Sequence, residues 1–350
     1  MFDTTNFPGA RKYWHQGKLY DWNTTAVHVM SHALHYGSSV FEGIRAYETE
    51  KGPAIFRLPE HIDRLFVSAE AINMEVPYSK EEIIEVCRMI VRENRLHSAY
   101  VRPNLFYSYG NLGLTPKFSP VELTIGCWEW GTYLGADGVA NGVHVLLLPW
   151  KRFHPSQINA SVKLGGIYVQ SNIFASYARK EGFDEAVFLN LENRVSEGPG
   201  ENILIVKDGV ISTNDKSESV LEGLTRTSIL ELANDLGYQT EIKPITVEDF
   251  LTADEAFFTG TAAEVTPITK ITDGRNKDQP KDTWKTHTLG NGKPGAISSK
   301  LATLYAEIVR GKHPEYDHWL TYVYDSREDA IAAFQNNQLD KVEDEQIPGY

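Results

Sequence analysis

Two residues in the stretch 160–201 have the types that chemistry on a carbonyl cofactor needs. Lys163 stands alone among small neighbours in Ser-Val-Lys-Leu-Gly-Gly-Ile-Tyr. A lysine amine can condense with an aldehyde, and Gly165 and Gly166 leave room beside it. Glu197 heads the turn Glu-Gly-Pro-Gly-Glu-Asn, where a buried carboxylate would suit a ring nitrogen. Pyridoxal phosphate chemistry requires this pair, a Schiff-base lysine and an acid at the pyridine nitrogen. Taken singly, each is more commonly a surface lysine and an acidic turn.

Two further turns suit a phosphate. Gly223-Leu224-Thr225 lies where a helix should begin, so its amides and the helix dipole favour an anion. Gly260-Thr261-Ala262 offers a hydroxyl and bare backbone after a strand. Arg64 sits near the start of a predicted helix, a poor place for a cation unless an anion is at hand. The ordinary alternatives are a helix cap and a strand end. His28, His32 and His35 share a helical spacing that raises metal binding, but no carboxylate or cysteine joins them. The plain reading is histidines in ordinary hydrogen bonds.

The elements that must position these residues follow in order. Ser39–Tyr47 reads as a strand with Phe41, Gly43 and Arg45 on one face, the glycine marking a close approach or a bulge. Pro59 opens a helix with Ile62, Leu65, Phe66 and Ala69 inward, and Ser79-Lys-Glu-Glu82 is a capping box for the next. Tyr100 and Arg102 share a strand face, and Pro103 predicts an edge or a bulge. The glycine-rich run from Trp130 loses all periodicity, and the interdomain linker is placed at 131–142. Beyond it come a buried strand (143–148), a helix over 168–180 capped by Gly182, and two hairpins. One turns through Glu192-Asn193, the other through Asp208-Gly209. Helices then start at about residues 224 and 296. The resulting organisation is a small domain, 1–130, a large domain, 143–325, and an acidic tail, 326–350.

Composition agrees with an enzyme-sized protein. The 350 residues are 41% hydrophobic and 23% charged, with a net charge of −13. No basic run suggests nucleic acid, and no apolar run is long enough to span a bilayer. Cys87 and Cys127 suggest neither a disulfide framework nor a zinc site. The first residues lack the basic end and apolar block of a signal peptide, so the expected location is cytoplasmic.

Several long motifs line up in one order: His-Val-Met-Ser-His-Ala-Leu-His-Tyr-Gly, Phe-Glu-Gly-Ile-Arg-Ala-Tyr, Glu-His-Ile-Asp-Arg-Leu, Ala-Tyr-Val-Arg-Pro, Lys-Leu-Gly-Gly-Ile-Tyr, Ser-Glu-Gly-Pro-Gly-Glu-Asn, Gly-Leu-Thr-Arg and Thr-Gly-Thr-Ala-Ala-Glu-Val-Thr-Pro. With them the chain resembles the branched-chain amino acid aminotransferases, class IV enzymes of pyridoxal phosphate fold type IV, from Tyr20 to about Tyr322. The resemblance implies an α/β (α+β) fold of two domains, the larger with a barrel-like sheet. It implies transfer of the amino group of L-leucine, L-isoleucine or L-valine to 2-oxoglutarate by a ping-pong mechanism.

By the same resemblance Lys163 carries the cofactor and shuttles the proton, Glu197 meets the ring nitrogen, and Tyr168 meets the phenolic oxygen. The phosphate falls to Arg64, Leu224, Thr225 and Thr261. The substrate carboxylate falls to Tyr100, supported by Arg102, and to the backbone of Thr261 and Ala262. Tyr36, Phe41, Trp130 and Tyr133 resemble pocket walls, with Gly43 and Arg45 on the same substrate strand. Leu112 and Leu114 match a loop that crosses to the other subunit, which implies a homodimer or a larger assembly.

Three places depart from the family pattern: Ile167 for an asparagine, Pro199 in the turn after Glu197, and the tail beyond Ser326. The rivals within the fold are D-amino acid aminotransferase, (R)-amine transaminase and aminodeoxychorismate lyase. Arg102 argues against the first of these. A non-catalytic cofactor-binding protein is the alternative from another class.

Overall fold

The computed structural model describes residues 7–24, 27–131, 134–159 and 161–335. Two mixed layers organise them. The first sheet runs, edge to edge, Leu320–Tyr322, Ala54–Phe56, Ile44–Tyr47, Ala99–Tyr107, Val121–Trp128, Lys12–His15 and Lys18–Asp21, with Ser39–Phe41 as an extra partner of Ala99–Tyr107. All its pairings are antiparallel. A strand from near the end of the chain thus completes the sheet begun at its start.

The predicted strand 39–47 is broken at Glu42-Gly43, giving Ser39–Phe41 and Ile44–Tyr47. The cause lies across the ladder at Pro103, which has no N–H to donate. Pro103 is central rather than at an edge, and it falls opposite this gap, where its carbonyl accepts the Glu42 N–H at 2.9 Å. The register is the same on both sides of the gap, with Phe41 opposite Asn104 and Arg45 opposite Tyr100, so the expected shared face of Phe41, Gly43 and Arg45 holds.

Helices Leu58–Glu70 and Lys80–Asn94 cover one face of this sheet. The second begins with the expected reciprocal cap, Ser79 Oγ accepting the Glu82 N–H and Glu82 returning the bond. Leu58, Ile62, Leu65, Ile83, Cys87 and Ile90 are wholly buried against Ile44, Val101 and Ile125. Each such side chain contributes roughly 1.5–3 kcal/mol of transfer free energy.

The second sheet runs Gln239–Ile242, Val210–Thr213, Asn202–Lys207, Glu255–Gly260, Glu264–Asp273, Val143–Lys151 and Glu185–Leu189, with Lys285–Thr288 branching from Glu264–Asp273. The hairpin that follows one edge strand meets the chain just beyond the other. Val195 bridges Leu189 on one side and Ile245 on the other, which gives the sheet its barrel-like curl. The hairpin expected through Glu192-Asn193 is formed, with the Asn190 N–H donating to the Arg194 carbonyl and the Ser196 N–H to the Phe188 carbonyl, each at 2.9 Å. The glycine-rich run 131–142 includes a short helix, Gly135–Asn141. A third apolar core joins the layers, with Tyr47 and Phe56 of the first sheet against Leu204 and Phe257 of the second and Tyr305 of helix Ala296–Ile308. Helix Arg327–Gln335 ends the described chain, and Phe334 stacks on His97 at 3.8 Å. Among the described residues no helix is long and apolar enough to cross a membrane.

Candidate active site

A cavity of about 500 Å³ opens between the two sheets. Lys163, Tyr168, Glu197, Arg64, Leu224, Thr225, Thr261, Ala262, Phe41, Gly43, Tyr100, Arg102 and Trp130 all line it, although they come from distant parts of the sequence.

Lys163 is fixed by its backbone. Its N–H donates to Ser68 Oγ at 3.0 Å, and its carbonyl accepts the Phe41 N–H at 3.2 Å. Its Nζ donates to the Tyr168 hydroxyl at 2.7 Å, at the start of helix Tyr168–Lys180. The glycines after Lys163 serve a purpose other than the predicted one. They do not line the cavity. A Cβ at Gly165 would collide with Ser39, and Gly166 packs on Gly37, so both let the lysine loop dock onto the first sheet.

Glu197 lies on another wall of the cavity and is buried. Its Oε1 accepts from Arg152 Nε at 2.8 Å, and its Oε2 accepts the Leu221 N–H at 3.0 Å. Arg152 Nη1 donates in turn to Ser171 Oγ at 2.9 Å. Burial pushes the Glu197 carboxyl above its ordinary value, while Arg152 and the Leu221 amide pull it back. Sequence reasoning missed Arg152, which closes the Trp-Lys-Arg end of an apolar strand with no motif around it.

The phosphate-like end is built from three elements. Leu224 and Thr225 open the helix Leu224–Asp235, with Gly223 as N-cap. Asn202 shapes that turn, accepting the Gly223 N–H at 2.9 Å and donating to the Leu221 carbonyl at 2.7 Å. Thr261 follows the strand Glu255–Gly260. Arg64 comes from helix Leu58–Glu70, and the anion its position called for is Glu42, which grips Nε at 2.7 Å and Nη2 at 2.8 Å. Burial would raise the Glu42 carboxyl, yet Arg64 and His61 hold it far below the usual range.

On the remaining wall, Arg102 Nη2 donates to the Tyr100 hydroxyl at 3.0 Å, and its guanidinium lies 4.7 Å from the centre of the Phe41 ring. Tyr100 and Trp130 are in ring contact at 4.9 Å. The backbone of Gly43 is pressed against the Tyr100 hydroxyl, where a Cβ has no room.

Two candidates stand apart from the cavity lining. Tyr36 is half exposed and donates its hydroxyl to the Leu112 carbonyl at 2.8 Å. Arg45 is buried, donating to the Gly131 carbonyl at 3.3 Å and facing Glu264 at 3.8 Å. Tyr133 lies outside the described residues. His32 bonds Ser38 and the Gly113 carbonyl, and His35 bonds the Val29 carbonyl. No group of three potential metal ligands forms among the described residues.

A lysine, a buried carboxylate, an arginine and a helix start thus share one cavity. The class IV amino-transferase family model matches residues 39–271, and the chain belongs to that family. The Pseudomonas aeruginosa branched-chain-amino-acid aminotransferase is 43% identical over 310 residues, covering 89% of this chain and 96% of that protein. Among solved structures, the T.th. branched-chain amino acid aminotransferase complexed with 4-methylvaleric acid is 40% identical, with a TM-score of 0.82 over 91% of this chain and 100% of that one. The same enzyme complexed with N-(5′-phosphopyridoxyl)-L-glutamate is 41% identical, with a TM-score of 0.82 and the same coverage.

Proposed function

We propose that this chain is a branched-chain amino acid aminotransferase that uses pyridoxal 5′-phosphate and passes the amino group to 2-oxoglutarate. The observation that carries the reading is the placement of Lys163 and Glu197 on the walls of one cavity with the anion cradle of Arg64, Leu224, Thr225 and Thr261. The donor set fits the cofactor: an amine for its aldehyde, Tyr168 for its phenolic oxygen, Glu197 for its ring nitrogen, and a cationic, amide-rich turn for its phosphate. The related complexes support both substrates, since 4-methylvaleric acid is the leucine skeleton without its amino group and the second ligand carries glutamate.

The bound cofactor supplies the electron sink that makes the substrate Cα–H acidic. Lys163 Nζ would take that proton as general base and, as general acid, pass it to the cofactor's C4′ carbon, with the two carbons exchanging roles in the reverse half-reaction. The Tyr168 hydroxyl orients Nζ for this work. Glu197, kept in place by Arg152, holds its negative charge toward the ring nitrogen. Tyr100, supported by Arg102, and the backbone of Thr261 and Ala262 take the substrate carboxylate. Phe41 and Trp130 give the branched side chain an apolar wall that excludes water. One site serves both substrates in turn, so the kinetics are ping-pong. Exposed Val29, Leu34, Leu114 and Phe118 support a homodimer in which the loop at Leu112 and Leu114 reaches the neighbouring subunit's site.

Visible absorption of the purified protein tests the reading. The cofactor band is expected to convert on adding L-leucine and to return with 2-oxoglutarate. A band that ignores L-leucine and answers a D-amino acid or an (R)-amine would move the activity to a sibling enzyme. Lys163→Ala is expected to abolish transamination with the fold retained, and near-normal turnover in that variant would end the proposal.

A further inference from the structure

Helix Leu58–Glu70 turns three polar side chains toward the site: His61, Arg64 and Ser68, spaced so that they share one face. Ser68 accepts the backbone N–H of Lys163. The other two converge on Glu42, which is wholly buried and sits in the gap between the strands Ser39–Phe41 and Ile44–Tyr47. Its Oε1 accepts from Arg64 Nε at 2.7 Å, and its Oε2 accepts from Arg64 Nη2 at 2.8 Å and from His61 Nδ1 at 2.8 Å.

A guanidinium has five N–H donors in a rigid plane. Glu42 occupies the Nε edge, so the Nη1 end is left to point the other way. Nη1 donates to the Glu222 carbonyl at 3.2 Å, at the threshold of the Gly223-Leu224-Thr225 turn. We infer that Glu42 is a positioning residue: it clamps the inner edge of Arg64 so that the outer edge faces the cofactor phosphate. This rests on the proposed function above.

The alternative role for a buried carboxylate beside an arginine is charge balance alone, and the two roles predict opposite signs. Were Glu42 only a counter-charge, neutralising it would leave Arg64 uncompensated and tighten its hold on an anion. As a clamp, Glu42 cannot be replaced by Gln, because one amide oxygen would face three donors while the amide NH₂ pushed against them. Glu42→Asp separates the roles from the other side, since it keeps the charge and shortens the reach.

The experiment strips the full-length protein of cofactor and titrates it with pyridoxal 5′-phosphate and, separately, with pyridoxal, following visible absorption and tryptophan fluorescence. Positioning predicts that both Glu42→Gln and Glu42→Asp bind pyridoxal 5′-phosphate about ten-fold more weakly than wild type, with pyridoxal affinity unchanged. In an Arg64→Lys background, Glu42→Asp should cause no further loss. Unchanged or tighter binding of pyridoxal 5′-phosphate by Glu42→Asp would overturn the inference. So would equal losses for the two ligands, which mark a merely structural residue. If Glu42→Gln does not fold, Glu42→Asp alone decides. A wild-type protein that binds neither ligand would instead sink the proposed function.

Discussion

Arg152 and Glu197 are 45 residues apart in sequence and meet as a buried pair, with Arg152 Nε and Nη2 each 2.8 Å from the same carboxylate oxygen. Removing one member of such a pair strands the other charge and costs about 3–5 kcal/mol. Arg152→Met should therefore destabilise the cofactor-free protein by that amount. With the cofactor's ring nitrogen as a second partner for Glu197, the loss should be smaller in the loaded protein. Urea unfolding of both forms measures the difference, and equal losses would mean that Glu197 does not face the ring.

Gly43 admits the Tyr100 hydroxyl where a Cβ would collide with it. The strand has little freedom to yield, because Glu42 and Ile44 on either side are wholly buried. Gly43→Ala is expected to cost about 1–3 kcal/mol as an overpacked site. It should also raise KM for the amino acid by displacing Tyr100. Thermal unfolding and steady-state kinetics read the two effects separately, and an unchanged KM would remove Tyr100 from carboxylate binding.

Glu201 also lines the cavity, and its carboxyl is pushed up to about 8, first by burial and then by the charge of Glu185. The folded chain keeps a proton there that the unfolded chain releases near 4.5. Its contribution to stability therefore falls as pH rises from about 4.5 to about 8. Glu201→Gln cannot titrate and should lose this slope, so it gains on wild type as pH rises through that window. Denaturant unfolding across the pH range compares the two proteins, and parallel profiles would refute the assignment. Glu42, whose carboxyl is depressed, contributes in the opposite sense, with stability that is lost as pH falls below the ordinary carboxylate range.

What could be read from the sequence was local chemistry. Lys163 among small residues, Glu197 at a glycine-rich turn, the helix start at Gly223 and the Ser79 cap are all decided within a few residues. What could not be read depended on partners far along the chain. Arg152 gains meaning only from Glu197, and Glu42 only from a helix face some twenty residues later. Strict alternation through 39–47 places Arg45 on the face of Phe41, and the register keeps it there, but nothing near Arg45 announces that its guanidinium turns to Gly131 and Glu264. The glycines at 165 and 166 were legible as a need for space, but what fills the space is Gly37 and Ser39.

The two ends of the cavity are secured very differently. The polar end with Arg64 and Thr225 draws on two helices and a strand end, one helix packed in the first sheet's core and the other sharing a core with the strand. The carboxylate wall lies beside a seam in which Val195, two residues before Glu197, bridges both Leu189 and Ile245, and the Glu197 carbonyl accepts the Phe188 N–H at 2.9 Å. Glu197 is held from the second sheet and Arg64 from a helix on the first, so a shift between the two layers would change the span that the cavity offers.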